Sequence, residues 1–88
     1  MSVYFTNEFI KNFKKLKGKE KEQVKSAVDE IMTDRDLGKP LRYSLKGLRS
    51  YRVGNMRIIY ALDGEDIYFI TFGKRKNIYE NLKRRNLG

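Results

Sequence analysis

The chain contains no histidine and no cysteine. Any acid–base chemistry therefore falls to Glu, Asp, Lys, Arg or Tyr, and thiolate nucleophiles and cysteine-ligated zinc are excluded. Four residues stand out: Arg52, Arg57, Arg75 and Tyr79. The first two flank Gly54-Asn55, a two-residue connection suited to a tight hairpin between β-forming neighbours. In that register Val53 faces Met56, and Arg52 stands opposite Arg57 on the same face of the sheet. Opposed like charges destabilise a sheet by a few tenths to about 1 kcal/mol. An anionic ligand explains such a pair, and so do two side chains splayed into water. Fixed cations around a phenol suit a phosphodiester under attack. RNA cleaved by its own 2′-hydroxyl passes through a phosphorane with extra negative charge, which guanidiniums on a rigid sheet stabilise without reorganising. One proton must leave the 2′ oxygen and another must reach the departing 5′ oxygen. Tyr79 is a candidate for part of that work, and equally for a core or capping residue of the last helix.

Other chemistries find less support. The acidic groups Asp34/Asp36 and Asp63/Glu65/Asp66 sit in turn-like stretches, and the trio lacks the layout of a calcium loop. No phosphate-binding glycine loop is present, and the acidic residues lie apart from the basic positions. No metal or cofactor is expected. Twenty Lys+Arg against eleven Asp+Glu give a formal charge of +9, which points to nucleic acid, an acidic protein or an anionic membrane as partner. The opening MSVYFTNEF lacks a secretion signal's layout, and no apolar run approaches the ~20 residues of a membrane span. A soluble, cytoplasmic protein with no membrane partner is expected.

These residues must be positioned by a small framework. At 88 residues the chain reads as one domain, 1–88, able to bury roughly 60–65% of its unfolded surface. Residues 2–5 (SVYF) read as a strand, and Thr6 or Asn7 can cap the helix that follows. There Phe9, Ile10, Phe13 and Leu16 make one apolar stripe, and Gly18 is expected to stop the helix. A second helix over residues 19–33 carries Val24, Ala27, Val28 and Ile31 at helical spacing, completing a helical hairpin. Its lysines, with those of the first helix, form a cluster from Lys11 to Lys21 that suits a solvated face or a nucleic-acid surface. Residues 34–40 (DRDLGKP) read as a loop, and a second strand begins near Arg49. The third strand alternates: Met56, Ile58, Tyr60 and Leu62 face one way, Arg57, Ile59 and Ala61 the other. Asp63-Gly64 turns the chain into residues 67–72 (IYFITF), a strand apolar on both faces and so expected inside its sheet. Gly73 ends it, and Ile78, Tyr79 and Leu82 suggest a short helix before a basic tail. The whole is α+β: an N-terminal strand, an antiparallel helical hairpin packed on an antiparallel sheet (β-α-α-β-β-β), and a short C-terminal helix.

The run Leu45-Lys46-Gly47, then Tyr51 through Tyr60 (YRVGNMRIIY), then Gly73-Lys74-Arg75 and Ile78-Tyr79 resembles the RelE/ParE superfamily of type II toxins. The likeness extends over the whole chain in element order, length and charge. It implies a toxin that cleaves mRNA in the ribosomal A site, as RelE-type members do, without metal or cofactor. It also implies a cognate antitoxin, RelB-like, small and acidic. ParE-type members instead poison DNA gyrase. Matched by position, Arg57 falls on the arginine implicated in holding the scissile phosphate and Arg75 on the one implicated in transition-state stabilisation. Tyr79 falls on the tyrosine that stacks on or acts upon the substrate nucleotide. Arg52 occupies the second of two lysine positions, and Ser50 replaces the first. Since a guanidinium stays charged, this pair departs from the family's proton-transfer groups. Lys46, Arg49, Lys74, Lys76, Lys83, Arg84 and Arg85 would contact RNA or the ribosome. Two alternatives are a gyrase inhibitor and a non-catalytic basic RNA-binding module.

Overall fold

The computed structural model describes residues 1–87, except for the side chains of residue 81 and residues 83–87. Strand β1 (Val3–Phe5) leads into helices α1 (Asn7–Lys15) and α2 (Gly18–Thr33), then β2 (Lys39–Pro40), a 3₁₀ turn (Tyr43–Leu45), β3 (Leu48–Val53), β4 (Met56–Asp63), β5 (Asp66–Lys74) and α3 (Arg75–Leu87). The α+β class and the order of the main elements are those the sequence indicates. Two details of the sheet differ. It has five strands in the order β1-β5-β4-β3-β2, and β1 runs parallel to β5. The sheet is therefore mixed rather than antiparallel, because the helical hairpin carries the chain across one face before the meander begins. The stretch read as a loop also supplies a two-residue edge strand, with Lys39 opposite Ser50 and Pro40 opposite Arg49. Proline is tolerated there because an edge strand leaves an N–H side unpaired.

Thr6 caps α1, its hydroxyl accepting from the Phe9 N–H at 3.1 Å. Gly18 does adopt a left-handed conformation (φ +57°), but as the first residue of α2. The end of α1 falls earlier, where the Leu16 N–H donates to the Phe13 carbonyl. Phe9 of α1 and Val24, Ala27, Val28 and Ile31 of α2 pack on Val53, Met56, Ile58, Tyr60, Ile67, Phe69 and Phe72 of the sheet. Aromatic rings add directional contacts, Phe9 meeting Phe72 edge-on at 4.9 Å between centroids. Each large aliphatic side chain fully removed from water contributes about 1.5–3 kcal/mol, so this layer dominates the fold. A second, smaller layer lies on the opposite face, where Ile59 meets Leu45, Ile78 and Leu82.

Between Ile59 and Tyr60 the pairing with β5 slips: Ile59 faces Thr71 but Tyr60 faces Phe69. Residue 70 is thus a bulge, and it reverses the alternation of β5. Ile67, Phe69 and Phe72 all join the helix-side core as a result. The strand lies inside the sheet, as its composition suggests, but β4 occupies the centre. Gly73 does not end β5; Lys74 does, and α3 starts at once on Arg75.

Candidate functional site

The site is built on the face of the sheet opposite the helical hairpin. The β3–β4 turn has Gly54 at φ +59° with no positive φ at Asn55, the pattern of a hairpin turn that needs glycine first. It sets Val53 opposite Met56 and Arg52 opposite Arg57. Their Cα atoms are therefore about 4.5–5.5 Å apart. Arg57 is half-buried, while Arg52 is exposed at the rim of β3, beyond the end of β2. Arg52 donates only a long hydrogen bond, 3.4 Å from its Nε to the Gly54 carbonyl. The ion pairs among the described residues are Arg49–Asp36 and the N-terminus with Glu65, so Arg52, Arg57 and Arg75 are uncompensated there.

On the other side of Arg57 lies Gly73 of β5. A Cβ at Gly73 would sit 3.4 Å from Ile78 Cδ1, so α3 packs close over this end of β5. Arg75 opens α3 directly after Lys74, the residue paired with Met56. Tyr79 follows Arg75 by four residues, on the same face of the helix. The hydroxyl of Tyr79 lies 3.0 Å from the Oγ of Ser50. Ser50 is buried at 2% exposure, and it stands two residues along β3 from Arg52, on the same face and about 7 Å away. Two opposed arginines and a phenol thereby share one sheet face, and Arg75 begins the helix that carries the phenol. Such a set can hold a phosphodiester and stabilise added negative charge on it.

The remaining basic positions divide. Lys46, Lys74 and Lys76 are exposed. Arg49 points to the opposite face: its guanidinium donates to the Gly38 carbonyl at 2.6 Å and pairs with Asp36 at 3.3 Å. Alternation explains this, since residues 49 and 52 differ by an odd number along one strand. The side chains of Lys83, Arg84 and Arg85 lie outside the described residues. Among the described residues no three acidic groups gather as a metal site, and no helix is long and apolar enough to cross a membrane. Ser50, which the sequence marked only as a departure, proves to be the group that ties Tyr79 down. Its place two residues from Arg52 was the available signal.

A family model described as the ParE-like toxin of type II bacterial toxin-antitoxin systems matches residues 3–83. The chain is a type II toxin of the RelE/ParE superfamily. Toxin RelE3 of Methanocaldococcus jannaschii is 30% identical to it over 86 residues, spanning 91% of this chain and 97% of that relative. The fold of this superfamily member is likewise shared. Isolated RelE of E. coli superposes with a TM-score of 0.71 at 21% identity, covering 96% of both chains. A chain of the RelB–RelE antitoxin–toxin complex from Methanococcus jannaschii gives 0.69 at 25% identity, over 90% of this chain and 98% of that one. The toxin's two helices, meander and final helix are thus the superfamily's framework.

Proposed function

We propose that this toxin is a ribosome-dependent mRNA endonuclease, a cytoplasmic single-domain enzyme that works without metal or cofactor. The observation that carries the reading is the opposed Arg52–Arg57 pair sharing a sheet face with the Ser50-anchored Tyr79. Arg57 holds the scissile phosphate and Arg75 meets the charge that develops as the 2′ oxygen bonds to phosphorus and the bond to the 5′ oxygen breaks. Arg52 supplies further positive charge. Because its guanidinium keeps its protons, the phenol of Tyr79 is the better candidate for contact with the nucleotide and for proton movement. Exposed Lys46, Lys74 and Lys76, with Lys83, Arg84 and Arg85, bind RNA or the ribosome. The natural inhibitor is a small acidic antitoxin, a partner class supported by the RelB–RelE complex of the Methanococcus jannaschii relative.

Mapping of mRNA 5′ ends, with and without ribosomes, tests this reading. Cleavage confined to translated message is expected, and Arg57→Ala and Tyr79→Phe should each relieve growth inhibition. If both variants inhibit growth as strongly as wild type, the catalytic assignment is wrong. The ParE-like description of the matching family model favours one competing reading, gyrase inhibition. DNA double-strand breaks with intact mRNA would establish that function instead.

A further inference from the structure

Strand β1 stops at Phe5, opposite Phe69, while β5 runs on to Lys74. Helix α1 flanks this extra length of strand, and a groove of about 680 Å³ opens between α1, the end of β5 and α3. Its walls carry Lys11, Lys15 and Lys74 together with the amides of Asn7, Asn12 and Asn77. Lys11 and Lys15 lie four residues apart on α1 and so share one helix face. One carboxylate, Glu8, borders the groove and accepts a hydrogen bond from the Thr71 hydroxyl. That bond draws α1 against the strand, in the path an added β-strand would take. Gly73 belongs both to this groove and to the lateral row Arg52–Arg57–Gly73. The groove therefore adjoins the strand register that carries the opposed arginines.

We propose that this groove is a second binding site, which takes the phosphodiester backbone of single-stranded RNA leading away from the Arg52–Arg57 pair. This deepens the nuclease reading and rests on it. Three lysines supply the charge that a phosphate track requires, and the three amides can reach ribose hydroxyls or base edges.

The test measures binding of a fluorescent oligouridylate of about a dozen residues across a salt series. Each neutralised phosphate contact on a single strand contributes about 0.7 to the slope of log affinity against log salt. Lys11→Ala/Lys15→Ala should flatten the slope by about 1.4 and weaken binding about 25-fold at 0.1 M salt. Lys14→Ala/Lys25→Ala removes the same charge from the far side of the helical hairpin, where these lysines line a different groove. That control should leave the slope within about 0.3 of wild type. Thermal unfolding of each variant confirms that it remains folded. Equal effects of the two double variants would overturn the proposal in favour of diffuse attraction. So would an unchanged slope in Lys11→Ala/Lys15→Ala accompanied by weaker antitoxin binding, which would make the groove a protein-binding surface. Ribosome-dependent cleavage is scored separately: an enzyme that cleaves while the slope stays unchanged defeats the groove alone. The predicted slope without any cleavage supports the groove and defeats the nuclease reading.

Discussion

Exchanging Ser50 for Ala and Tyr79 for Phe, singly and together, separates anchoring from chemistry at the site. The two oxygens lie 3.0 Å apart, with Ser50 buried and Tyr79 half-buried. Tyr79→Phe leaves the Ser50 hydroxyl without this partner inside the protein, at a cost of about 1–3 kcal/mol. Ser50→Ala leaves a phenol that can turn toward water, so about 0.5–1.5 kcal/mol is expected. Removing both partners of a buried hydrogen bond is closer to neutral than removing one. The double variant should therefore be more stable than the summed single losses predict, by about 1 kcal/mol. Urea unfolding of the four proteins reads this coupling, and 1 kcal/mol moves the melting temperature of a domain this size by about 4–8 °C. Losses that add to within about 0.3 kcal/mol would refute the claim that this pair pins α3 to the sheet. Growth inhibition by the same proteins settles the role of the phenol. If Tyr79 meets the substrate, the double variant stays inactive however stable it is; if the hydroxyl only anchors the helix, activity returns with stability.

Three further outcomes are expected. Tyr60 donates to the Arg35 carbonyl at 2.7 Å and accepts from the Gly38 N–H at 2.8 Å while fully buried, so Tyr60→Phe should cost about 2–4 kcal/mol in urea unfolding. Burial also raises the Tyr60 pKa above its ordinary value. Stability from this group is then complete below about pH 10 and falls as pH rises through the folded-state value, by up to about 1.4 kcal/mol per pH unit; unfolding curves collected at alkaline pH should show this, less steeply in Tyr60→Phe. Arg52→Thr should stabilise the fold by a few tenths to about 1 kcal/mol by removing the repulsion with Arg57, while growth inhibition falls. Tyr43 is 92% exposed at φ +59°, a conformation that costs a bulky residue roughly 1–2 kcal/mol, so Tyr43→Asn should raise the melting temperature.

What could be read from the sequence follows from the range of the interactions involved. The Gly54-Asn55 turn and the alternation of β4 are local, and they alone bring Arg52 opposite Arg57 and put Met56, Ile58, Tyr60 and Leu62 in one core. The parallel pairing of Val3 with Ile67 has no local signature, because the two residues meet only after both helices have been placed. The bulge at residue 70 was hidden for another reason. Every residue from Ile67 to Phe72 except Thr71 is large and apolar, so a change of face leaves no trace in hydropathy. The face of Arg49 was available from parity with Arg52, whereas its carbonyl partner, Gly38, depends on where the loop after α2 returns. Ser50 looked like a loss relative to a lysine. Its value appears only when α3 lies across the sheet and brings Tyr79 to it.

The union of β1 with β5 also has a bearing on biosynthesis. Residues 3–5 must wait for residues 67–69, so forming this edge closes a long loop, and such distant pairings are slow to nucleate. A nascent chain emerging from its ribosome can form the helices early but cannot complete the sheet until residues 67–69 have emerged as well. Until then the cationic platform lacks its β1 edge, although the local β3–β4 hairpin can already set Arg52 opposite Arg57.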